Sequence, residues 1–361
     1  MRFPYQTRPV SCMIPPMKTD KRIRRWPAEW EAQAGVLLAW PHGGTDWAPY
    51  LDETLALYRE LALAIARFET VVVAAQEPDS VRAALGTAAT DGRVRVFEAP
   101  INDTWSRDFG PITVFDGTTP RLLDFRFSGW GGKFEAGLDN GITACLHGRG
   151  AFGQTVLEAV DLVLEGGSIE SDGRGGLLTT SRCLLNPNRN PNLDRAGIEA
   201  ILSRSLGAKR VLWLENGHLA GDDTDAHIDT LARFAPDDTI VYVRCPDRSD
   251  EHYEPLRAME AELRALRTRE GRPYRLVPLP WPAPRFEADG HRLPATYANF
   301  LVANHAVLAP VYGDPCDAAA LETLGLAFPG REVVGIDCSV LIRQHGSLHC
   351  VTMQLPEGVL P

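Results

Sequence analysis

No apolar run in this 361-residue chain approaches the roughly 18 residues that a membrane-spanning helix requires. Cysteine is scarce and unpatterned. The seven stand at 12, 145, 183, 245, 316, 338 and 350, an odd number with no C-x-x-C pair. That argues against a disulfide framework and a zinc knuckle and points to a reducing compartment, the cytoplasm. A basic surplus is missing too. With 37 Lys and Arg against 47 Asp and Glu, the formal charge is -10. Nucleic acid is therefore a poor partner, whereas a cationic small molecule is mildly favoured; the plainer reading of the charge is solubility. There is no G-x-G-x-x-G after a first strand and no G-x-x-x-x-G-K-[ST], so nucleotide phosphate cradles find no support. The H-E-x-x-H and EF-hand patterns are absent as well.

What is present is an ordinary globular composition, 44% apolar and 23% charged. Residues 1–25 are basic and broken by prolines, and they read as a disordered leader rather than a signal peptide. Met13 and Met17 are alternative starts. From Trp26 to the end no long linker interrupts the chain, so residues 26–361 are expected to form one domain, a homo-oligomer remaining open. Strand-like runs recur at 36–40, 71–75, 93–97, 122–127, 210–214, 239–245, 274–279 and 332–336. Helical spacing falls between some of them: after Asp52 as a possible N-cap, over 192–207 ending on Gly207, and over 254–269 with Pro255 at a possible first position. GSIESDGRGGLLTTSRCLL and ANFLVANHAVLAPVYG instead read as hairpins. Crossovers and hairpins thus interleave four or five times, which a doubly wound Rossmann sheet would not do.

Four segments carry candidate chemistry. GDDTDAHID (221–229) sets four aspartates around one histidine. Like charges so close need a compensating cation: a metal, an arginine of the same chain, or a substrate. If this segment is a strand, His227 and Asp229 share a face; otherwise it is a solvated acidic loop. His218, Asp222, Asp225, His227 and Asp229 could serve a metal, although no known ligand spacing is present. In NDTWSRDFGP (102–111) an extended chain would turn Asp108 toward a site and Arg107 away from it. In LEGGSIE (164–170) Glu165 precedes two glycines at a strand end, a sign of close backbone approach. In HGSLHCVTMQLP (345–356) Cys350 opens an alternating apolar segment. His349 is its sequence neighbour and so points away on a strand. A base for Cys350 must come from elsewhere, and His227 is a candidate. The other cysteines within the domain read as small buried hydrophobes.

A cysteine nucleophile, a His–Asp pair and two further carboxylates suit one class of substrate. A neutral amide needs no ring of acids. A guanidinium is planar and cationic, and its forked N–H donors bind carboxylates bidentately.

Seven collinear motifs, WPAEWEAQAGVLLAWP, NDTWSRDFGP, WGGKFE, LEGGSIESDGRGGLLTTSRCLLNPNRNP, GDDTDAHIDTLARF, TYANFLVANHAVLAPVYGDP and GSLHCVTMQLP, resemble the agmatine deiminase family, which includes the bacterial peptidylarginine deiminases. The resemblance runs from about Trp26 to Pro356. It implies the α/β pentein fold, a five-bladed propeller of pseudo-fivefold ββαβ modules around a central site. It implies Cys350 as nucleophile, Asp108 and Asp229 as guanidinium-binding carboxylates, His227 as general acid/base and Glu165 as its orienting group. Asn299 near the site and Trp105 and Trp130 lining a substrate channel follow in the same way. No metal or organic cofactor is implied. The implied reaction is agmatine deimination in polyamine synthesis, with free or peptidyl arginine as alternative substrates. An amidinotransferase and a non-catalytic pentein that binds the ribosome are further alternatives. Two positions depart from the family pattern. Ser347 stands where G-N-x-H-C has asparagine, and Ala226 where D-G-H-[IV]-D has glycine. Both lie beside the chemistry and bear on substrate preference.

Overall fold

The computed structural model describes residues 24–361. The expected leader lies outside the described residues except for Arg24 and Arg25, which form a short strand against Phe115 and Asp116. No helix among the described residues is long and apolar enough to cross a membrane.

One unit is repeated around the molecule. It consists of an antiparallel pair of strands, a helical connection, and a third strand parallel to the second. Ile112–Asp116 and Thr119–Arg126 form the first pair, and Val156–Val163 returns parallel after the helix Ile142–Gly148. Ile169–Ser171, Gly176–Thr180 and Arg210–Leu214 repeat the arrangement around the helix Arg195–Leu206. Ala232–Ala235, Thr239–Val243 and Arg275–Leu279 do so around Tyr253–Ala265. Leu301–Ala303, Ala306–Val311 and Glu332–Asp337 do so around Asp317–Ala327. The fifth unit is split across the chain. Met353–Pro356 pairs antiparallel with Gln33–Ala39, which lies parallel to Thr70–Ala75 beyond the helix Leu51–Ile65, and Val94–Glu98 adds a fourth strand. The last strand of the chain therefore closes onto one of the first.

Local chemistry explains these elements. Val36–Ala39 and Val71–Ala75 are wholly buried apolar runs, as parallel strands covered on both faces require. The Arg195–Leu206 helix starts on Asp194, whose carboxylate accepts from Gly197 N, and stops at Gly207 in the left-handed region (φ 72°). Two expected caps differ. Asp52 lies inside the first turn, because the 3-10 turn Ala48–Tyr50 runs straight into the helix and leaves no free capping position. Pro255 is the third residue of its helix, still within the first turn, where its missing N–H costs nothing. Both expected hairpins are present.

Candidate active site

Each of the five units carries a polar residue two to four positions ahead of its first strand: Asp108, Glu165, Asp229, Asn299 and Cys350. The turns that hold them differ from the extended chain expected. Asp108 is in a one-turn helix, Ser106–Phe109, while Asp229 lies in a 3-10 turn, Ile228–Thr230, that His227 immediately precedes. Cys350 stands in a turn three residues before its strand. The strand alternation invoked for these side chains is thus replaced by tight turns. Arg107 and Asp108 nevertheless diverge as expected. Arg107 is buried against His349 O and Gln354, while Asp108 faces the site.

The glycine pair after Glu165 makes room for this convergence. A Cβ on Gly166 would fall 2.1 Å from Arg107 O. A Cβ on Gly167 would fall 2.7 Å from His227 Nδ1, 2.8 Å from Asp108 Oδ1 and 3.0 Å from Asp229 Oδ2. Gly167 is therefore the floor on which three site side chains meet. Its N–H donates to Asp108 Oδ1 (2.9 Å), and Trp130 Nε1 donates to Asp108 Oδ2 (2.9 Å). Trp130 itself sits at φ 55° between positive-φ glycines 129 and 131. Asn299 ties the nucleophile turn down. Its Oδ1 accepts from His349 N (3.0 Å) and Cys350 N (3.2 Å) and lies 3.3 Å from Cys350 Sγ, while its amide donates to Asp229 O. Cys350 Sγ is 3.9 Å from Asp229 Oδ2.

Burial sets the electrostatics. It pushes the Cys350 thiol well above its usual range, and the facing Asp229 and Asp108 add to the shift. Burial drives Asp108 up to about 7 despite its two donors, with Glu165 contributing, and drives Asp229 well above the carboxylate range, with Asp108 contributing. It drives His227 well down, helped by Arg189. These shifts favour a neutral histidine, a thiol and a protonated Asp229, with Asp108 about half ionised near neutral pH, and a cation placed among the acids would favour their ionised forms.

The aspartates of 221–229 divide by role. Asp222 accepts from Thr224 N (3.0 Å) and Ala226 N (2.7 Å) and shapes the turn. Asp225 pairs with Arg189 (2.6 Å) and Lys133 (3.1 Å). Asp223 faces the pocket mouth, and Asp229 faces the site. Asp222 and Asp225 are thus spent on the protein itself, against the metal set considered for this stretch. Among the described residues, Glu165, Cys183 and His227 offer ligand atoms within 4.8 Å of one another. Glu165, however, already receives Arg189 Nε on both oxygens (3.0 and 2.9 Å). That pairing also qualifies the expected Glu165–His227 link: the two are neighbours, but neither ring nitrogen of His227 has a hydrogen-bond partner among the described residues, Asp108 Oδ1 standing 3.6 Å from Nδ1. Nor does a hydrogen bond join His227 to Cys350.

Arg189 and Gly167 were not singled out in the sequence, although both lie within the quoted LEGG…NPNRNP motif. His349 was considered only as a base, a role its geometry does not offer. Its ring lies between two carboxylates, Nδ1 2.7 Å from Asp229 Oδ2 and Nε2 2.8 Å from Glu29 Oε2. Above the site, a narrow pocket reaches the surface between Trp105, Trp130 and the exposed Phe134. Asp46, Asp103 and Asp223 complete its mouth with His345 and Gln344, and among the described residues no Arg or Lys lines it. Burial raises Asp103 to about 7 and Asp223 to about 6, the latter despite His345.

Comparison with known proteins agrees with this geometry. The model of the Porphyromonas-type peptidyl-arginine deiminase family matches residues 25–356. The agmatine deiminase of Stutzerimonas stutzeri is 34% identical over 358 residues, covering 91% of this chain and 95% of that protein. A C. jejuni agmatine deiminase structure with substrate bound is 39% identical, with a TM-score of 0.87 over 93% of this chain and 97% of that one. A structure from Porphyromonas gingivalis, provisionally described as an arginine deiminase, is 51% identical, with a TM-score of 0.90 over 94% and 100%. The ring of five units is the pentein fold, and the chain belongs to the Porphyromonas-type peptidyl-arginine deiminase family.

Proposed function

We propose that the protein is a guanidine iminohydrolase that converts agmatine and water to N-carbamoylputrescine and ammonia. The observation that carries the choice of substrate is the pocket mouth. Agmatine bears a second cation, an ammonium, at the far end of its chain. Asp46, Asp103 and Asp223 ring the entrance, and among the described residues no Arg or Lys lines it to receive a carboxylate, the nearby Lys133 being turned to Asp223 O and the Asp225 carboxylate. Free arginine would bring its α-carboxylate against these acids. A peptidyl arginine would bring no such charge, and the P. gingivalis relative makes arginine substrates the second reading.

In this reading the guanidinium lies between Asp108 and Asp229, each of which ionises to hold it. The bound cation offsets the two charges that raise the thiol. Neutral His227 takes the Cys350 proton as the sulfur attacks the guanidinium carbon. The tetrahedral adduct then expels ammonia as His227 returns that proton to the leaving nitrogen. The resulting thiouronium is hydrolysed by water, from which His227 removes a proton, and the thiolate leaves. Glu165, held by Arg189, gives His227 a negative neighbour when it is charged. Trp105 and Trp130 wall the channel, and Asn299 holds the nucleophile turn. No step requires a metal or an organic cofactor. A cytoplasmic site of action fits the unpaired thiols.

A colorimetric ureido assay with agmatine, arginine and a blocked arginine peptide, beside a Cys350→Ala control, tests the proposal. Turnover of agmatine that disappears in the control is expected. Turnover confined to arginine or its peptide would overturn the choice of substrate, and turnover surviving in the control would overturn the mechanism.

A further inference from the structure

The ring of His349 presents an accounting problem. Both its nitrogens face carboxylate oxygens, Asp229 Oδ2 at 2.7 Å and Glu29 Oε2 at 2.8 Å. All three side chains are buried. Carboxylate oxygens accept, so each contact needs a proton of its own. Two protons must therefore be shared among Asp229, His349 and Glu29. One stays on Nε2, facing Glu29. Glu29 is held ionised against its burial by His349, Arg233 (2.8 Å) and Arg107 (3.6 Å). The other lies between Nδ1 and Asp229 and can rest on either.

We propose that His349 is a positioning residue that takes the proton of Asp229 when a guanidinium docks, so that this carboxylate becomes ionised without releasing a proton to solvent. The inference rests on the guanidinium reading of the site. In the empty site the proton is on Asp229 Oδ2 and the ring is neutral. Burial disfavours both charges, Asp108 opposes a second carboxylate, and Arg107 and Arg233 oppose an imidazolium. A guanidinium against Asp229 reverses the balance. The O–H bond of Asp229 breaks, an N–H bond forms at His349 Nδ1, and the imidazolium is held between two carboxylates. The three groups carry the same total charge before and after. Other charged groups around the ring do not compete for this proton. Arg107 and Arg233 are donors only, Glu170 is paired with Arg233, and Cys350 Sγ faces Asn299 and Asp229. Asp108 has no such reservoir. Its oxygens accept from Trp130 and Gly167, and the nearest ring nitrogen, His227 Nδ1, stands 3.6 Å away, beyond hydrogen-bond reach, so its proton is free to leave the site.

The test counts protons. The Cys350→Ala protein is titrated with agmatine, and separately with arginine, by calorimetry at pH 7 in buffers of different ionisation enthalpy. The count of this parent, set by Asp108 and, with agmatine, by Asp103 and Asp223 at the mouth, is the baseline. Adding His349→Gln, which cannot take the proton from Asp229, should raise the count by close to one and weaken binding further as the pH falls. Glu29→Gln removes the counter-charge of the imidazolium and should raise the count in the same direction, which keeps the test open should His349→Gln fail to fold. An unchanged count in a folded variant overturns the role of His349. Binding of arginine but not agmatine would instead overturn the substrate reading, with the proton count still read on arginine.

Discussion

Replacing Gly167 by alanine separates the assembly of the site from the stability of the fold. The added methyl would lie 2.7, 2.8 and 3.0 Å from His227, Asp108 and Asp229, where ordinary contact begins at 3.4 Å. The imidazole must therefore retreat by about 0.7 Å and the carboxylates by somewhat less. The backbone of Gly167 is not in the left-handed region, so the substitution carries no conformational penalty of its own. The atoms it meets are side-chain ends, which can move. Overpacking of this kind costs about 1–3 kcal/mol of stability, a shift of a few degrees in Tm. If His227, Asp108 and Asp229 act as proposed, misplacing them by a large fraction of an ångström should lower kcat about 100-fold. The neighbouring Gly166→Ala supplies the contrast. Its methyl would meet a backbone carbonyl at 2.1 Å, so stability itself should fall. Steady-state deimination kinetics and thermal unfolding of both variants decide the matter. A Gly167→Ala protein with kcat within threefold of the parent would refute the reading of Gly167 as the floor of the site.

Three further outcomes are expected. Because burial pushes Asp108 up to about 7 and it must ionise to hold a guanidinium, the apparent affinity of the Cys350→Ala protein for agmatine should fall by at least about tenfold per pH unit below 7, Asp103 and Asp223 adding to the fall; a flat profile from pH 7 to 5 would count against it. Asp229→Asn should abolish turnover yet raise Tm. Its carboxyl is pushed up by burial, so ionisation costs stability from the unfolded pKa of about 4 upward. The gain should therefore vanish near pH 4 and grow toward 7, and a lower Tm at pH 7 would contradict this. Ser347→Asn should leave the ratio of agmatine to arginine activity unchanged. The buried Ser347 hydroxyl lies 3.0 Å from Tyr312 OH rather than in the pocket, and a shifted ratio would show that the loop transmits the change.

Much of this site was legible in the sequence because its groups sit in distinctive motifs that carry the family resemblance: a cysteine in a His-Cys pair, an Arg-Asp after Trp105, a glutamate before two glycines. Recurrent hairpins and crossovers could likewise be read from apolar runs and turn residues. What could not be read was local conformation between elements. Alternation is the default near a strand, whereas Asp108 and Asp229 occupy tight turns closed by local backbone bonds (Gly110 N to Ser106 O, Leu231 N to Ile228 O) and pinned from afar by Arg107 N to Cys350 O and by the Asn299 amide to Asp229 O. Ala226 shows the limit well. It stands at φ 67° in a conformation that favours glycine, held there by Asp222 accepting from its N–H. Arg189 and Glu29 escaped notice for a related reason. An arginine or a glutamate is usually solvated, and only the fold reveals that these two are buried against partners far away in the chain.

The splitting of the fifth unit makes sulfur reactivity a gauge of completion. Cys350 is poised by Asn299 from the fourth unit and faced by Asp229 from the third, while its own strand docks on Gln33–Ala39. A chain that has built four sheets but has not yet seated Met353–Pro356 possesses every acid of the site and no aligned thiol. On the proposed reading such a chain would hold the acids that receive a cation without the thiol that attacks it, so thiol reactivity toward a haloamidine should rise together with the docking of Met353–Pro356.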